Sequence, residues 1–203
     1  MLRVGLTGSI AVGKSYVSAV LAELGCHVID ADSTAREAVA AGSAGLAKVV
    51  ETFGPSVLQP DGTLDRARLG AIIFADEVQR QLLNSILHPF IIAAQDEQLR
   101  EWEAVDPTGI GVVDAALMIE SGGYRRFDKL IVVHCRPEMQ VARLMARNHL
   151  TLDEALQRIN AQMPQEEKMR HADFLIDNSG ELAETRRQTE EVYQSLRSLS
   201  EKR

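Results

Sequence analysis

Residues 8–15 read Gly-Ser-Ile-Ala-Val-Gly-Lys-Ser and match the pattern G-x-x-x-x-G-K-[ST] at every fixed position. The apolar segment before them, Leu2 to Thr7, predicts a buried strand, and the residues after them predict a helix to about Leu24. In such a loop the backbone N–H groups and the lysine ammonium hold phosphate oxygens, and the last hydroxyl ligates Mg²⁺. The pattern predicts ATP contacts from one short set of residues: Gly8, Ala11, Val12, Gly13, Lys14, Ser15 and the adjoining Tyr16. Ser15 is the predicted metal ligand.

The rest of the chain alternates strand and helix patterns, with one interruption. Residues 27–29, 110–113, 129–134 and 174–176 are short apolar segments, typical of parallel strands that are covered on both faces. Residues 42–103 carry helical patterns only. The sequence therefore predicts an α/β fold of the P-loop type, with three layers, a parallel sheet, a helical insertion and a lid. Ligands bind such sheets at the carboxyl ends of the strands.

The same patterns give domain boundaries. We expect residues 1–34 together with 104–148 and 169–203 to form a nucleotide-binding core. Residues 35–103 are the insertion and residues 149–168 the lid. Within the insertion we expect a helix break at His88-Pro89, because proline suits the first turn of a helix better than its interior. In the last helix the predicted buried stripe is Leu182, Val192, Tyr193, Leu196 and Leu199.

Composition limits the location and the partners. No apolar run approaches the roughly 20 residues of a membrane span, and no signal-peptide pattern is present, so we expect a cytoplasmic protein. The net charge of −7 argues against a broad nucleic-acid or anionic-membrane surface. Cys26 and Cys135 have no metal-binding spacing and are expected to be buried, reduced thiols. The sequence leaves the oligomeric state open.

A corner with two carboxylates, Asp30 and Asp32, follows the second predicted strand. We expect this corner to lie next to the first strand and hence beside the phosphate loop. A small-molecule kinase needs a carboxylate that takes or orients the proton of the acceptor hydroxyl. Asp32 is the favoured candidate for that role and Asp30 competes with it. The alternative for Asp32 is an N-cap of the next helix.

A second set of polar residues lies in the helix predicted from Pro137. Gln140, Arg143 and Arg147 share a face by their spacing, and a charged stretch that resembles a lid follows them. Arginines on a closing lid bind phosphates in many kinases. The spacing alone fits a solvated surface stripe equally well.

Several further segments occur in a fixed order along the chain. They are Phe53-Gly54, residues 61–66 (Asp-Gly-Thr-Leu-Asp-Arg), Leu87-His88-Pro89, Ala172-Asp173 and residues 177–180 (Asp-Asn-Ser-Gly). Together with the phosphate loop and the Asp30-Ala31-Asp32 corner, they resemble the dephospho-coenzyme A kinase family over essentially the whole chain. The corner and the His-Pro pair discriminate this family, because many families share the phosphate loop.

The resemblance implies that ATP, with Mg²⁺, phosphorylates the 3′-hydroxyl of the ribose of dephospho-coenzyme A. It implies that Asp32 takes or orients the hydroxyl proton and that Lys14 and Arg143 steady the phosphoryl group. It places Asn178 and Gly180 near the adenine. The residues implied on the acceptor side are Asp32, His88, Leu117, Glu120 and Arg147. For His88, a helix cap is the alternative.

Two departures from the family pattern affect these expectations. Residues 115–120 read Ala-Ala-Leu-Met-Ile-Glu, where the family usually has Pro-Leu-Leu-Phe-Glu, so a proline is lost before Leu117 and Glu120. Tyr16 stands where a threonine usually follows the loop serine. The second Mg²⁺ ligand stays open among Asp32, Asp114 and Glu120.

Two rival functions remain at this point. One is another P-loop kinase, acting on a nucleoside monophosphate or a small hydroxy acid, which only the choice of acceptor would separate. The other is a nucleotide-dependent regulatory protein without an acceptor. The arginine stripe and Asp32 disfavour the second rival, because a switch protein needs neither.

Overall fold

The computed structural model describes residues 1–203, with the exception of the Ala75 side chain. The chain forms two compact units, one made of residues 1–29 and 99–203 and the other of residues 30–98. No helix in the part of the chain that the structure describes is long and apolar enough to span a bilayer.

A five-stranded sheet organises the first unit, in the order β2-β3-β1-β4-β5. The strands are β1 (Leu2–Thr7), β2 (His27–Asp30), β3 (Ile110–Asp114), β4 (Lys129–His134) and β5 (Phe174–Asp177). β1 pairs in parallel with β3 and β4, and β4 pairs in parallel with β5. The predicted α/β fold with a parallel sheet is confirmed.

Nine helices connect or follow these strands in the described chain. They are α1 (Lys14–Glu23), α2 (Ala31–Glu37), α3 (Ala44–Phe53), α4 (Arg66–Ala75), α5 (Glu77–Val105), α6 (Pro137–Asn148), α7 (Leu152–Asn160), α8 (Gln165–Met169) and α9 (Leu182–Ser200). Short 3₁₀ helices lie at Pro55–Val57 and Gly123–Arg126.

The core of the first unit lies where α1 and α9 pack on the sheet. Val4 and Leu6 of β1 and Ile131 of β4 are completely buried, as are Leu21 of α1 and Leu196 of α9. Burying one such side chain contributes roughly 1.5–3 kcal/mol. β1, β3 and β4 are buried almost throughout, as expected of central strands that are covered on both faces.

Both cysteines are free and buried, as predicted. Burial raises the pKa of the Cys26 thiol to about 12, because the interior disfavours the charged thiolate. Burial also raises the pKa of Cys135. Both thiols are therefore neutral and unreactive near pH 7.

The expected helix break at His88-Pro89 is wrong. α5 runs without interruption from Glu77 to Val105, with Pro89 inside it. Proline removes one N–H donor and crowds the carbonyl four residues earlier, at a typical cost of about 3 kcal/mol. α5 absorbs this cost because it has 29 residues, so many hydrogen-bonded turns flank the proline on each side. Leu83 before it and Leu99 after it are both buried.

Two further expectations need correction. The first concerns the corner that follows β2, which was expected to lie next to β1. β3 lies between β2 and β1, so β2 is not a neighbour of β1 in the sheet.

The second concerns the buried stripe of α9. Leu182 and Leu199 are 55% and 36% exposed, and the buried stripe instead joins Val192 and Leu196 to three small polar residues. These are Thr185, Thr189 and Ser200. Their hydroxyls bond to nearby groups, as in Thr189 Oγ1 donating to the Thr185 carbonyl at 2.7 Å, so small polar residues fill positions that hydropathy assigns to leucine.

Candidate active site

The carboxyl ends of the strands bring the predicted nucleotide residues to one edge of the sheet. Leu6 lies opposite Asp114 in the β1–β3 register, and His134 lies opposite Asp177 in the β4–β5 register. The phosphate loop follows β1 directly, and Asn178 follows β5. Residues that are far apart in the sequence therefore leave the sheet at the same edge, where parallel α/β proteins bind ligands.

The phosphate loop, residues 8–15, has the backbone that its glycines permit. Gly13 adopts φ +91°, and any side chain there would collide with the Asn178 amide. A Cβ on Gly8 would lie 2.5 Å from the Val133 carbonyl oxygen. Ala11 also has a positive φ, +62°, which costs a non-glycine residue of order 1–3 kcal/mol. The surrounding contacts must therefore hold the loop in this conformation.

Asn178 is one of these contacts. It is 3% exposed, and its Nδ2 donates to the Val12 carbonyl at 2.8 Å. Its Oδ1 accepts a hydrogen bond from Thr185 Oγ1, also at 2.8 Å. Both ends of the amide are fixed, so the bond to Val12 fixes the loop backbone. Gly180 lies two residues further, with no atom within 4 Å of a Cβ added there.

Lys14 forms an ion pair with Asp114, which ends β3 and is 8% exposed. This contact aligns the first residue of α1 with the edge of the sheet. The Ser15 side chain that follows is exposed. The buried hydroxyl of Ser9 has no hydrogen-bond partner among the described residues. Buried polar atoms are nearly always paired, so this hydroxyl is available to a phosphate oxygen.

α6 places two of its three predicted polar residues on the phosphate loop. Gln140, 2% exposed, donates from Nε2 to the Ile10 carbonyl at 2.8 Å. Arg143 Nη1 lies 3.5 Å from the Val12 carbonyl oxygen. Arg147 is exposed, and its Nε donates to Asn148. Gln140 and Arg143 therefore contact the phosphate loop and are not part of a solvated surface stripe, whereas Arg147 lies at the surface.

Tyr16, the departure after the loop serine, points its hydroxyl towards the first turn of α9. The hydroxyl donates to the Leu182 carbonyl at 3.3 Å. This bond links α1 and α9, which the core also joins through Leu21 and Leu196. The larger side chain is therefore accommodated between two helices.

Residues 115–120 are held by Lys168, a residue that the sequence analysis missed. Lys168 is completely buried. Its ammonium donates to the Ala116 carbonyl at 2.8 Å and pairs with Glu120 Oε1 at 2.8 Å. Leu117, between these partners, is 53% exposed. The charged run around Lys168 gave no signal of burial, since its spacing resembles a surface helix.

In the second unit, the two carboxylates of the corner after β2, Asp30 and Asp32, have different structural roles. Asp30 is the N-cap of α2, and its carboxylate accepts a hydrogen bond from the Asp32 backbone N–H at 2.9 Å. Asp32 therefore does not cap the helix. Its side chain is exposed and has no side-chain partner among the described residues. His88 is exposed and lies inside α5, so it does not cap a helix either.

The described residues contain no cluster of three His, Cys, Asp or Glu side chains that could hold a metal ion by themselves. Mg²⁺ at a nucleotide site commonly has one or two protein oxygens and completes its shell with phosphates and water. The exposed Ser15 hydroxyl and the Asp114 carboxylate are oxygen donors of that kind. The residues present therefore fit Mg²⁺ bound together with a nucleotide.

A parallel sheet with a glycine-rich loop between β1 and α1, ending in Lys14 and Ser15, defines a P-loop nucleotide-binding protein of the α/β class. The family model described as dephospho-CoA kinase matches residues 2–184. The chain belongs to the dephospho-CoA kinase family, and it is therefore an enzyme that uses ATP to phosphorylate dephospho-coenzyme A in the final step of coenzyme A biosynthesis.

Relatives and solved structures agree with this family. The chain is 48% identical to a dephospho-CoA kinase of Geobacillus kaustophilus over 92% of both chains, and 46% identical to one of Listeria innocua over 91% and 92%. A crystal structure of a Thermus thermophilus protein matches with TM-score 0.81 at 30% identity, over 96% of this chain and 97% of that one. Dephospho-CoA kinase from Campylobacter jejuni matches with TM-score 0.64 at 29% identity, over 96% of each. A shikimate kinase from Acinetobacter baumannii, at 15% identity and TM-score 0.54, covers 98% of this chain and 94% of its own and shares the fold alone.

Proposed function

We propose that the γ-phosphoryl group of ATP goes to the 3′-hydroxyl of the acceptor ribose, and that the residues at the sheet edge and on α2 perform this transfer. The observation that carries the proposal is the convergence of Asn178, Gln140 and Arg143 on the backbone of residues 8–15. These contacts hold the loop in a conformation that includes a strained Ala11. Strain of this kind persists at ligand-binding positions that the surrounding structure supports.

On the nucleotide side, the loop N–H groups and the Lys14 ammonium bind the phosphates. In the resting enzyme the Lys14 charge is neutralised by Asp114, and phosphate oxygens would replace or share that partner. Arg143 adds a second cation to the transferred group. Asn178 and Gly180 lie beside the adenine, where Asn178 acts through its bond to the loop.

Ser15 would hold Mg²⁺, with Asp114 as the second candidate oxygen. When bound, Mg²⁺ neutralises charge that develops between the β- and γ-phosphates. The protein residues supply the rest: Lys14 and Arg143 orient the phosphoryl group, and no side chain needs to bond to phosphorus.

On the acceptor side, Asp32 takes or orients the proton of the 3′-hydroxyl, because its carboxylate is exposed and is not used for capping. His88 and Arg147 are further proposed contacts, and both are exposed. Leu117 contacts the acceptor, and Glu120 supports that contact through its ion pair with Lys168.

We further propose that residues 35–103 act as the acceptor-side domain and residues 149–168 as the lid, and that the reaction takes place in the cytoplasm. In the lid, α7 begins at a capping box formed by Thr151 and Glu154. The end of the lid is tied down more firmly, since Gln162 accepts a hydrogen bond from the Ile10 N–H at 2.8 Å. The part of the lid that moves on closure is therefore α7, and it brings the exposed Arg158 towards the phosphates.

Coupled ADP release with Mg-ATP tests the proposal against four acceptors: dephospho-coenzyme A, AMP, UMP and shikimate. Mass spectrometry then locates the added phosphate. We expect turnover of dephospho-coenzyme A alone, with phosphate on the 3′-oxygen. A phosphate at another position would refute the acceptor geometry, and preference for another acceptor would refute the substrate.

The buried Lys168 gives a separate prediction. Lys168→Met should raise the KM for dephospho-coenzyme A and leave the KM for ATP unchanged, because it releases the segment that carries Leu117. It should also lower the free energy of unfolding by about 1–3 kcal/mol, because the Ala116 carbonyl loses its donor, while the Glu120 carboxylate that remains is still partly in contact with water. Steady-state kinetics and thermal unfolding measure the two effects.

Two variants serve as controls for Lys168→Met. Lys129→Met removes a lysine from the more exposed pair with Asp173, whose atoms are 2.8 Å apart, and should alter neither KM. Glu120→Gln keeps a hydrogen-bond acceptor but leaves the buried Lys168 ammonium without a counter-charge, so it should reproduce part of the KM change and lose at least as much stability as Lys168→Met. An unchanged acceptor KM in both Lys168→Met and Glu120→Gln would show that this contact serves stability only.

A further inference from the structure

Glutamine side chains from outside the phosphate loop hold the backbone of one loop residue, Ile10. Gln140 Nε2 donates to the Ile10 carbonyl at 2.8 Å, and the Ile10 N–H donates to Gln162 Oε1, also at 2.8 Å. A third glutamine, Gln165 at the start of α8, donates from its Nε2 to Gln140 Oε1 at 2.8 Å. The peptide groups on both sides of Ile10 are therefore fixed by side chains of other segments.

Three of these groups belong to a chain of hydrogen bonds with one direction, the amide relay, which runs through Cys135, Gln165, Gln140 and Ile10. It begins at the Cys135 N–H, which donates to Gln165 Oε1 at 3.1 Å. It continues from Gln165 to Gln140 and ends at the Ile10 carbonyl. A backbone N–H can only donate and a backbone carbonyl can only accept, so the two ends fix which way both side-chain amides face. Each bond also polarises the next, which strengthens the chain.

The amide relay ends on the peptide group that joins Ile10 to Ala11. This peptide is trans, so its carbonyl and the Ala11 N–H point in opposite directions. Because the carbonyl points towards Gln140, the Ala11 N–H points away from α6, and it has no hydrogen-bond partner within the described chain. Ala11 also has the strained φ of +62°, an orientation that the backbone adopts only when its surroundings impose it. The relay therefore sets the direction of an unpaired donor in the phosphate loop.

We propose that Gln165 is a positioning residue for phosphoryl transfer: through Gln140 it directs the Ala11 N–H at an oxygen of the transferred phosphoryl group. The inference rests on the proposed function, because residues 8–15 are taken to bind the phosphates of ATP. A donor that is held in place before the substrate binds stabilises the charge of the transition state without reorganisation. Gln162 holds the preceding peptide group, so Ile10 cannot turn to relieve the strain at Ala11.

Kinetics of Gln165→Glu test the relay. A carboxylate can accept from the Cys135 N–H but cannot donate to Gln140, so the Gln140 amide turns and its oxygen faces the Ile10 carbonyl. The variant should lower kcat about tenfold or more and leave the KM for dephospho-coenzyme A unchanged. Gln165→Met, which leaves Gln140 free to keep its bond to Ile10, should lose less kcat.

Gln162→Glu is the matched control for the added charge. It places the same negative charge on a side chain that also bonds to Ile10, but Gln162 acts there as an acceptor, a role that a carboxylate keeps. It should therefore lose less kcat than Gln165→Glu. An equal loss in these two variants would assign the effect to charge, and a normal kcat in Gln165→Glu would remove Gln165 from the positioning role; either result would overturn the inference.

Amide NMR of Ala11 separates this inference from the proposed function. A non-hydrolysable ATP analogue should shift the Ala11 amide proton downfield in the unaltered protein and in Gln162→Glu, because the N–H gains a phosphate oxygen as acceptor. In Gln165→Glu this shift should be lost, while calorimetry still detects binding of the analogue. If the shift depends on Gln165 but dephospho-coenzyme A is not phosphorylated, the proposed function fails and the relay stands. If phosphorylation proceeds and the shift is the same in all three proteins, the relay fails and the function stands.

Discussion

Lys14→Met is expected to reduce kcat for phosphoryl transfer by about 10²–10³-fold, the usual effect of removing one preorganised charge from a transition state. The ammonium of Lys14 is the charge that the loop sequence directs at the transferred phosphates, and Asp114 holds it at the sheet edge. The substitution should also weaken ATP binding. Rapid-quench measurement of the first turnover, with ATP binding followed by calorimetry, distinguishes the two effects.

The substitution also leaves Asp114 buried without its partner, so part of the loss could come from instability. Thermal unfolding of Lys14→Met with and without ATP measures that part. Lys48→Met is the matched control, since Lys48 forms an exposed ion pair with Glu51 at 2.7 Å and should keep full activity. Full activity of a folded Lys14→Met enzyme would overturn the assignment of residues 8–15 as the phosphate site.

Asp32→Asn is expected to lower kcat by about 10²–10⁴-fold, the range that general-base catalysis contributes, and to leave ATP binding intact. The amide has nearly the same shape as the carboxylate but cannot accept the proton of the 3′-hydroxyl. Because Asp30 rather than Asp32 caps α2, the loss should not come from unfolding of the helix. Single-turnover kinetics with a fixed excess of Mg-ATP and varied dephospho-coenzyme A measures the effect.

Asp30→Asn provides the control for this experiment. It removes the same charge two residues away, and asparagine caps helices about as well as aspartate, so activity and stability should change little. If Asp30→Asn lost as much activity as Asp32→Asn, the local charge of the corner and not a base at Asp32 would explain both results. Near-normal turnover in Asp32→Asn would remove that residue from the base role.

Local patterns predicted the fold class well. Short apolar runs identified all five strands to within one residue at either end, because a parallel strand that is covered on both faces must be apolar throughout. The order of the strands was not accessible in this way. Placement of β3 between β2 and β1 depends on crossover connections, which the strand sequences do not encode.

Helix details were predicted less well where packing opposes a local preference. Pro89 reads as a helix start but lies inside α5, because the long helix retains its other hydrogen bonds. Leu182 and Leu199 read as core but are exposed, whereas Thr185 and Thr189 are completely buried. Hydropathy assigns such threonines to the surface, although a hydroxyl that bonds to a neighbouring carbonyl can be buried at little cost.

The sequence by itself determined the phosphate loop, since Gly8, Gly13, Lys14 and Ser15 act through backbone conformation and spacing along one short segment. It also identified Asp30 and Asp32, the two carboxylates of the corner after β2, as the candidates for the catalytic carboxylate. Only the tertiary structure decided which of them caps α2, that Gln140 and Asn178 bond to the loop backbone, and that Lys168 is buried against Ala116 and Glu120. These contacts join residues up to 166 positions apart. Periodicity reports the environment of a residue along its own element, whereas such contacts depend on how separate elements meet.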